Sequence, residues 1–205
     1  MATKSDVVRF RLAQEELERF LKRDIRILWS RVKGSSPDTI RDAFLEATPS
    51  LVGRYGGAAA VVGAEYFEGL TGLSAVLAEP IPDEAVQASV RFFAGGLYDN
   101  NPNGALNGFL TSGSRHMLQY GRSTVYESTR SAPGWGYARV PEAGACKWCL
   151  MLSSRGAVYA TERSAGGEGN DFHDDCRCDP TVAKSDDDLP YDVKGLYETY
   201  LRGEL

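Results

Sequence analysis

The stretch SDVVRFRLAQEELERFLKRDIRILWSRVK, residues 5–33, sets Val7, Val8, Phe10, Leu17, Phe20, Leu21, Ile25, Leu28 and Val32 at spacings of mostly three and four. That period gathers apolar side chains on one face of an α-helix, with the Ser5 hydroxyl available to cap its start and Gly34 to end it. Ser36 before Pro37 repeats the start signal, because proline has no N–H to lose in a first turn. A second helix is therefore expected from Pro37 to about Ala47, where Pro49 should break it. From Ser50 to about Leu70 the pattern is again helical but crowded with small residues, among them Gly53, Gly56, Gly57, Ala60 and Gly63. Such residues cost intrinsic helix propensity and permit close approach of a neighbouring helix. Asp83 to Leu97, the turn-rich segment Tyr98 to Gly104, and a longer helix from about Ala105 to Ser128 complete a bundle.

The periodicity changes after Ser131-Ala-Pro-Gly-Trp-Gly136, where Tyr137–Val140 and Ala157–Ala160 read as short strands. Gly166-Gly-Glu-Gly169 reads as a flexible loop, since it neither follows a buried strand nor ends in Lys-Ser or Lys-Thr as a phosphate loop does. Asp186-Asp-Asp188 and Pro190 mark a solvated linker into a short helix near Val193 to Leu201. The expected fold is mainly α: a helical domain over 1–132, a small α+β zinc-binding module over 133–182, and an acidic linker with a short C-terminal helix over 183–205.

With 205 residues, 42% hydrophobic and 25% charged, the chain can bury one sizeable core with a small appendage. Its first residues lack an uninterrupted apolar run, and the least charged stretch, Gly56 to Tyr66, is too short for a bilayer, so a soluble protein without membrane contact is expected. A net charge of −5 argues against a dedicated nucleic-acid-binding protein. The charge is uneven, however: nine Lys or Arg face five acids between Lys4 and Lys33, and seven Asp fall between Asp171 and Asp188. The ordinary reading is a solvated helix face and an acidic loop, and a basic N-terminal arm touching DNA is the competing one.

All four cysteines, Cys146, Cys149, Cys176 and Cys178, crowd into one segment with His173. A disulfide framework would spread its staples, and a local thiol cluster in a reducing compartment more often binds metal. Cys146-x2-Cys149 can aim two thiolates inward from one tight turn, and His173-x2-Cys176-x-Cys178 returns from a distant loop to close a tetrahedral site. That gives five candidates for four positions. Cys146, Cys149 and His173 are the first three ligands, and the fourth is Cys176 or Cys178, with Cys176 preferred because it forms a His-x2-Cys arm. A thiol-rich shell of this kind fits closed, structural zinc better than catalytic zinc, which keeps an open position. No catalytic residue is assigned. His116, in the long helix, has no companion ligand at helical spacing and is read as structural. Trp135 and Trp148 are read as local packing rather than as interface anchors.

Gly121-Arg-Ser-Thr124, Arg139-Val-Pro141, Ala145-Cys-Lys-Trp-Cys-Leu-Met-Leu152, Ser154-Arg-Gly-Ala-Val-Tyr159 and His173-Asp-Asp-Cys-Arg-Cys178 together resemble the MuF-like minor capsid, or head morphogenesis, proteins of tailed bacteriophages, particularly those of phages of actinobacteria. The resemblance implies a structural virion component at the portal vertex or inner capsid, made in the host cytoplasm during head assembly. Its implied partners are the portal protein, the major capsid protein, and packaged DNA reached through the basic N-terminal helix. Some relatives carry a capsid maturation protease, so a protease or other zinc-dependent hydrolase is the alternative; its motif would be the same cysteine cluster, or His116 beside a serine that the sequence does not identify.

Overall fold

The computed structural model describes residues 2–158 and 178–204. The first helix, α1, spans Lys4–Val32 and buries Val7, Phe10, Gln14, Leu21 and Ile25. Thr3 rather than Ser5 caps it: the Asp6 amide donates to the Thr3 hydroxyl oxygen at 3.2 Å, and the Thr3 amide donates back to the Asp6 carboxylate at 3.0 Å. This reciprocal box satisfies two amides that the first turn leaves open, whereas Ser5 already lies inside that turn.

One helix, α2 (Pro37–Thr71), replaces the two expected on either side of Pro49. Proline at 49 has no N–H for the carbonyl of Leu45, one helical turn earlier. The Gln87 side-chain amide, from a neighbouring helix, donates to that carbonyl at 3.3 Å instead. The break foreseen at Pro49 is thus repaired by a residue nearly forty positions away. Gly72, at φ 70°, ends the helix in the left-handed conformation.

Helices α3 (Asp83–Tyr98) and α4 (Pro102–Arg130) follow. Asn101 caps α4 by accepting from the Gly104 amide at 3.0 Å, ahead of a first-turn proline. Helix α2 packs against α1, α3 and α4. Gly56 and Gly63, seven residues apart on α2, set how closely α4 approaches: a Cβ at Gly56 would lie 2.5 Å from the Tyr120 ring, and one at Gly63 would lie 2.6 Å from the Gly121 carbonyl oxygen.

Gly136–Pro141 forms β1 and Cys178–Ala183 forms β2, an antiparallel pair running from Gly136↔Ala183 to Pro141↔Cys178. The expected second strand at Ala157–Ala160 is not the partner. Ala157 and Val158 lie outside any strand, the Ala157 amide donating to the Asp186 carboxylate at 2.9 Å, and Tyr159 and Ala160 lie outside the described residues. Between the strands the structure adds α5 (Lys147–Ser153), which the periodicity did not reveal. Asp186–Asp188 winds into a 3-10 turn, and α6 spans Val193–Leu201 as expected. The loop expected at Gly166–Gly169 lies outside the described residues.

Two apolar clusters organise this mainly helical fold. One joins Leu21, Ile25, Phe44, Phe109 and Met117 in the bundle, with Phe44 and Phe109 stacked at 4.2 Å. The other joins Val7, Phe10, Phe67 and Val125 of the helices to Tyr137, Val140, Leu152 and Val182 of the C-terminal part, so its apolar packing runs across that junction. No described helix is long and apolar enough to cross a membrane.

Candidate metal centre

The chain leaves β1 at Pro141 and reverses through a turn in which the Ala145 amide donates to the Glu142 carbonyl at 2.9 Å and Gly144 adopts φ 85°. A residue with a side chain is strained at such a φ, which accounts for glycine there. The reversal delivers Cys146 to the N-cap of α5, where its sulfur accepts from the Cys149 amide at 3.4 Å. Cys149 follows one turn later with no exposed surface. Cys178 opens β2 opposite Pro141, and this register carries its sulfur to 3.1 Å from that of Cys149.

No disulfide joins Cys146, Cys149 and Cys178 to one another. The 3.1 Å separation is longer than a disulfide bond of about 2.05 Å. It is shorter than the roughly 3.8 Å between two sulfurs that each bind a tetrahedral zinc at about 2.3 Å. It corresponds to a buried thiol donating to its neighbour, a pair that a metal would spread by a fraction of an ångström. The donors fit a soft or borderline cation, since thiols come from two segments and Cys146, Cys149 and Cys178 lie together with Ala145 in one small cluster. Among the described residues no set of three or more His, Cys, Asp or Glu forms a ready metal cage. His173 and Cys176, including the fourth ligand preferred from spacing, lie outside the described residues.

Cys146-x2-Cys149 also sits at a helix N-terminus after a strand, the local setting of redox pairs. The surrounding sheet is nevertheless two antiparallel strands rather than a βαβ unit, and Cys149 meets Cys178.

A part-buried ionic clamp that spacing did not reveal adjoins the thiols. The Arg11 guanidinium of α1 donates through Nε to Asp179 at 2.7 Å and through Nη1 to Glu142 at 3.0 Å, holding the residues that flank both cysteine arms. Burial pushes the Asp179 carboxyl above its ordinary range, against the opposing pull of Arg11 and then of Arg122. Burial also acts to lower Arg11, but Asp179 and Glu142 more than offset it and its pKa is raised. Farther along β2, the Tyr66 hydroxyl of α2 donates to Thr181 at 3.0 Å, and burial pushes that phenol well above its usual pKa. Tyr191 donates to the Ser153 carbonyl at 2.8 Å and so braces α5 from the C-terminal side. A cleft of about 230 Å³ between α1 and α4 opens onto this site at Cys178 and Asp179. Trp135 packs partly buried under Lys184, whereas Trp148 is 49% exposed.

The serine missing from the sequence argument for a hydrolase is Ser89, whose hydroxyl lies 2.9 Å from His116 Nε2. Both residues sit inside helices, α3 and α4. Amides in mid-helix already serve carbonyls four residues back, so those flanking Ser89 cannot form an oxyanion hole. Helix-interior serines are also not presented on a sharp turn, as nucleophilic ones are.

No curated protein and no solved structure matches this chain. The family model described as VG15 protein matches residues 1–203, taking in the bundle and the cysteine-bearing end together, and the chain belongs to the VG15 protein family.

Proposed function

We propose that this chain is a non-enzymatic minor component of a tailed-phage head, of MuF-like type, whose helical bundle docks on portal or capsid protein and whose C-terminal end is fastened by structural zinc. Membership of the VG15 family points to a phage-encoded protein, and the mainly helical build is compatible with a docking role. The observation that carries the zinc reading is the meeting of Cys149 and Cys178, from α5 and β2, in a buried pocket beside Cys146. Zinc supplies a cross-link there, and Cys146, Cys149 and Cys178 would hold it with His173 or Cys176 as the fourth ligand. Two short segments with few apolar residues gain most from such a link.

The test is made in assembling phage. Cys149→Ser should lower incorporation of the chain into heads and raise its protease sensitivity, while cleavage of capsid precursor continues. Normal incorporation of a metal-free Cys149→Ser chain would contradict the proposal. A hydrolase reading built on the Ser89–His116 contact predicts instead that Ser89→Ala leaves the fold intact and capsid precursor uncleaved. The structural reading predicts unchanged processing.

A further inference from the structure

On the solvent side of α1, Arg19, Arg23, Arg26, Ser30 and Lys33 recur at spacings of four, three, four and three, which is one continuous helical stripe. At 1.5 Å per residue it is about 21 Å long. The other side of this half of α1 is held in the bundle core by Leu21 and Ile25, so the stripe cannot turn inward. Arg19 and Arg23 lie over the Phe20 ring at 5.3 and 5.1 Å, which limits the freedom of both guanidiniums before any ligand arrives. Arg26 and Lys33 are exposed, and their side chains make no hydrogen bond or ion pair among the described residues.

Between Arg19 and Lys33 six cations face a single carboxylate, on a chain whose net charge is −5. That carboxylate, Asp24, is occupied by the Tyr55 hydroxyl at 2.6 Å and by Arg23 at 2.9 Å, and Arg54 of α2 adds its positive charge beside it. Among the described residues, two of these six cations pair with carboxylates outside the segment, Lys22 with Glu18 and Arg19 with Glu16; the latter pair, the one on the stripe, is solvent-exposed and easily exchanged.

We propose that this stripe docks the phosphate backbone of duplex DNA without reading its sequence. A file of guanidiniums matches phosphates because each fork can bind two oxygens of one group. A lipid surface fits less well, because a helix that lies in a membrane needs a free apolar face and the core consumes that of α1. A protein partner would need a buried aromatic or aliphatic anchor, and Ile27, 42% exposed, is the sole large aliphatic exposed in this stretch. The acidity of the rest of the chain confines DNA to this face. The inference goes beyond the proposed metal site and does not depend on it.

The test is fluorescence anisotropy of the full chain with a short labelled duplex across a salt series. About four backbone contacts should make log K fall with log salt at a slope of about −3.6. Replacing Arg19, Arg23 and Arg26 with Gln should reduce that slope by nearly three and weaken binding at least about tenfold. The same charge change at exposed Arg9, Arg91 and Arg202 should leave binding within about twofold, with circular dichroism showing both variants folded. The proposal is overturned if wild type does not bind duplex, if both triple variants bind alike, or if anionic phosphatidylglycerol vesicles are bound in preference to DNA.

Discussion

Pro49 and Gln87 show how one side chain decides whether a helix continues. Proline removes the donor for the Leu45 carbonyl, and Gln87 of α3 replaces it. A carbonyl left without any partner in a packed helix pair costs about 1–3 kcal/mol, so Gln87→Ala should destabilise the chain by about 1 kcal/mol, the bond being long and part-buried. In a Pro49→Ala background the restored amide serves Leu45, and the same Gln87→Ala change should cost clearly less. Urea denaturation of the four chains measures this coupling, and equal costs in both backgrounds would show that Gln87 acts otherwise. The sequence showed the proline but not its remedy, because the residue that supplies the donor reads only as another polar position on a different helix.

At the scale of elements, the Arg11 clamp ties α1 to the strand that carries Cys178. Arg11 and Asp179 retain only 21% and 13% side-chain exposure, so their pairing is screened less than a surface ion pair. Arg11→Ala would leave the Asp179 carboxyl buried beside Glu142 without its nearest cation, and should cost about 2–3 kcal/mol in urea denaturation. Removing Asp179 as well should recover much of that loss, since the penalty lies mainly in the abandoned charge. Additive losses would argue against the clamp. Periodicity made α1, α3, α4 and α6 legible as helices, although it placed the cap of α1 at Ser5 and divided α2 at Pro49. It missed the β1 partner: Cys178-Asp-Pro-Thr-Val-Ala183 is polar at its start and contains proline, and its pairing with Gly136–Pro141 is set by contacts with distant α1 and α2. The Cys-x2-Cys pair was legible from spacing alone. That Cys178 meets Cys149 was not, because it follows from the strand register.

Over the whole molecule, α1 spans both apolar clusters. Its start packs with Tyr66, Tyr137 and Val182, and its Leu21 and Ile25 enter the bundle core. Through Arg11 the same helix reaches the thiol-bearing strand, while its basic stripe lies towards the other end. Loss of the proposed zinc should therefore be felt first around β1, α5 and β2, where Cys149, Leu152 and Val182 are buried, and less in the bundle, which has its own apolar cluster. The measurement that tests this most directly is metal content of the purified chain by elemental mass spectrometry, joined to hydrogen exchange before and after a strong chelator. The account predicts about one zinc per chain, and loss of protection confined to β1, α5 and β2 when it is removed. A chain that carries no metal as purified, or one whose exchange pattern is the same with and without it, would contradict the account.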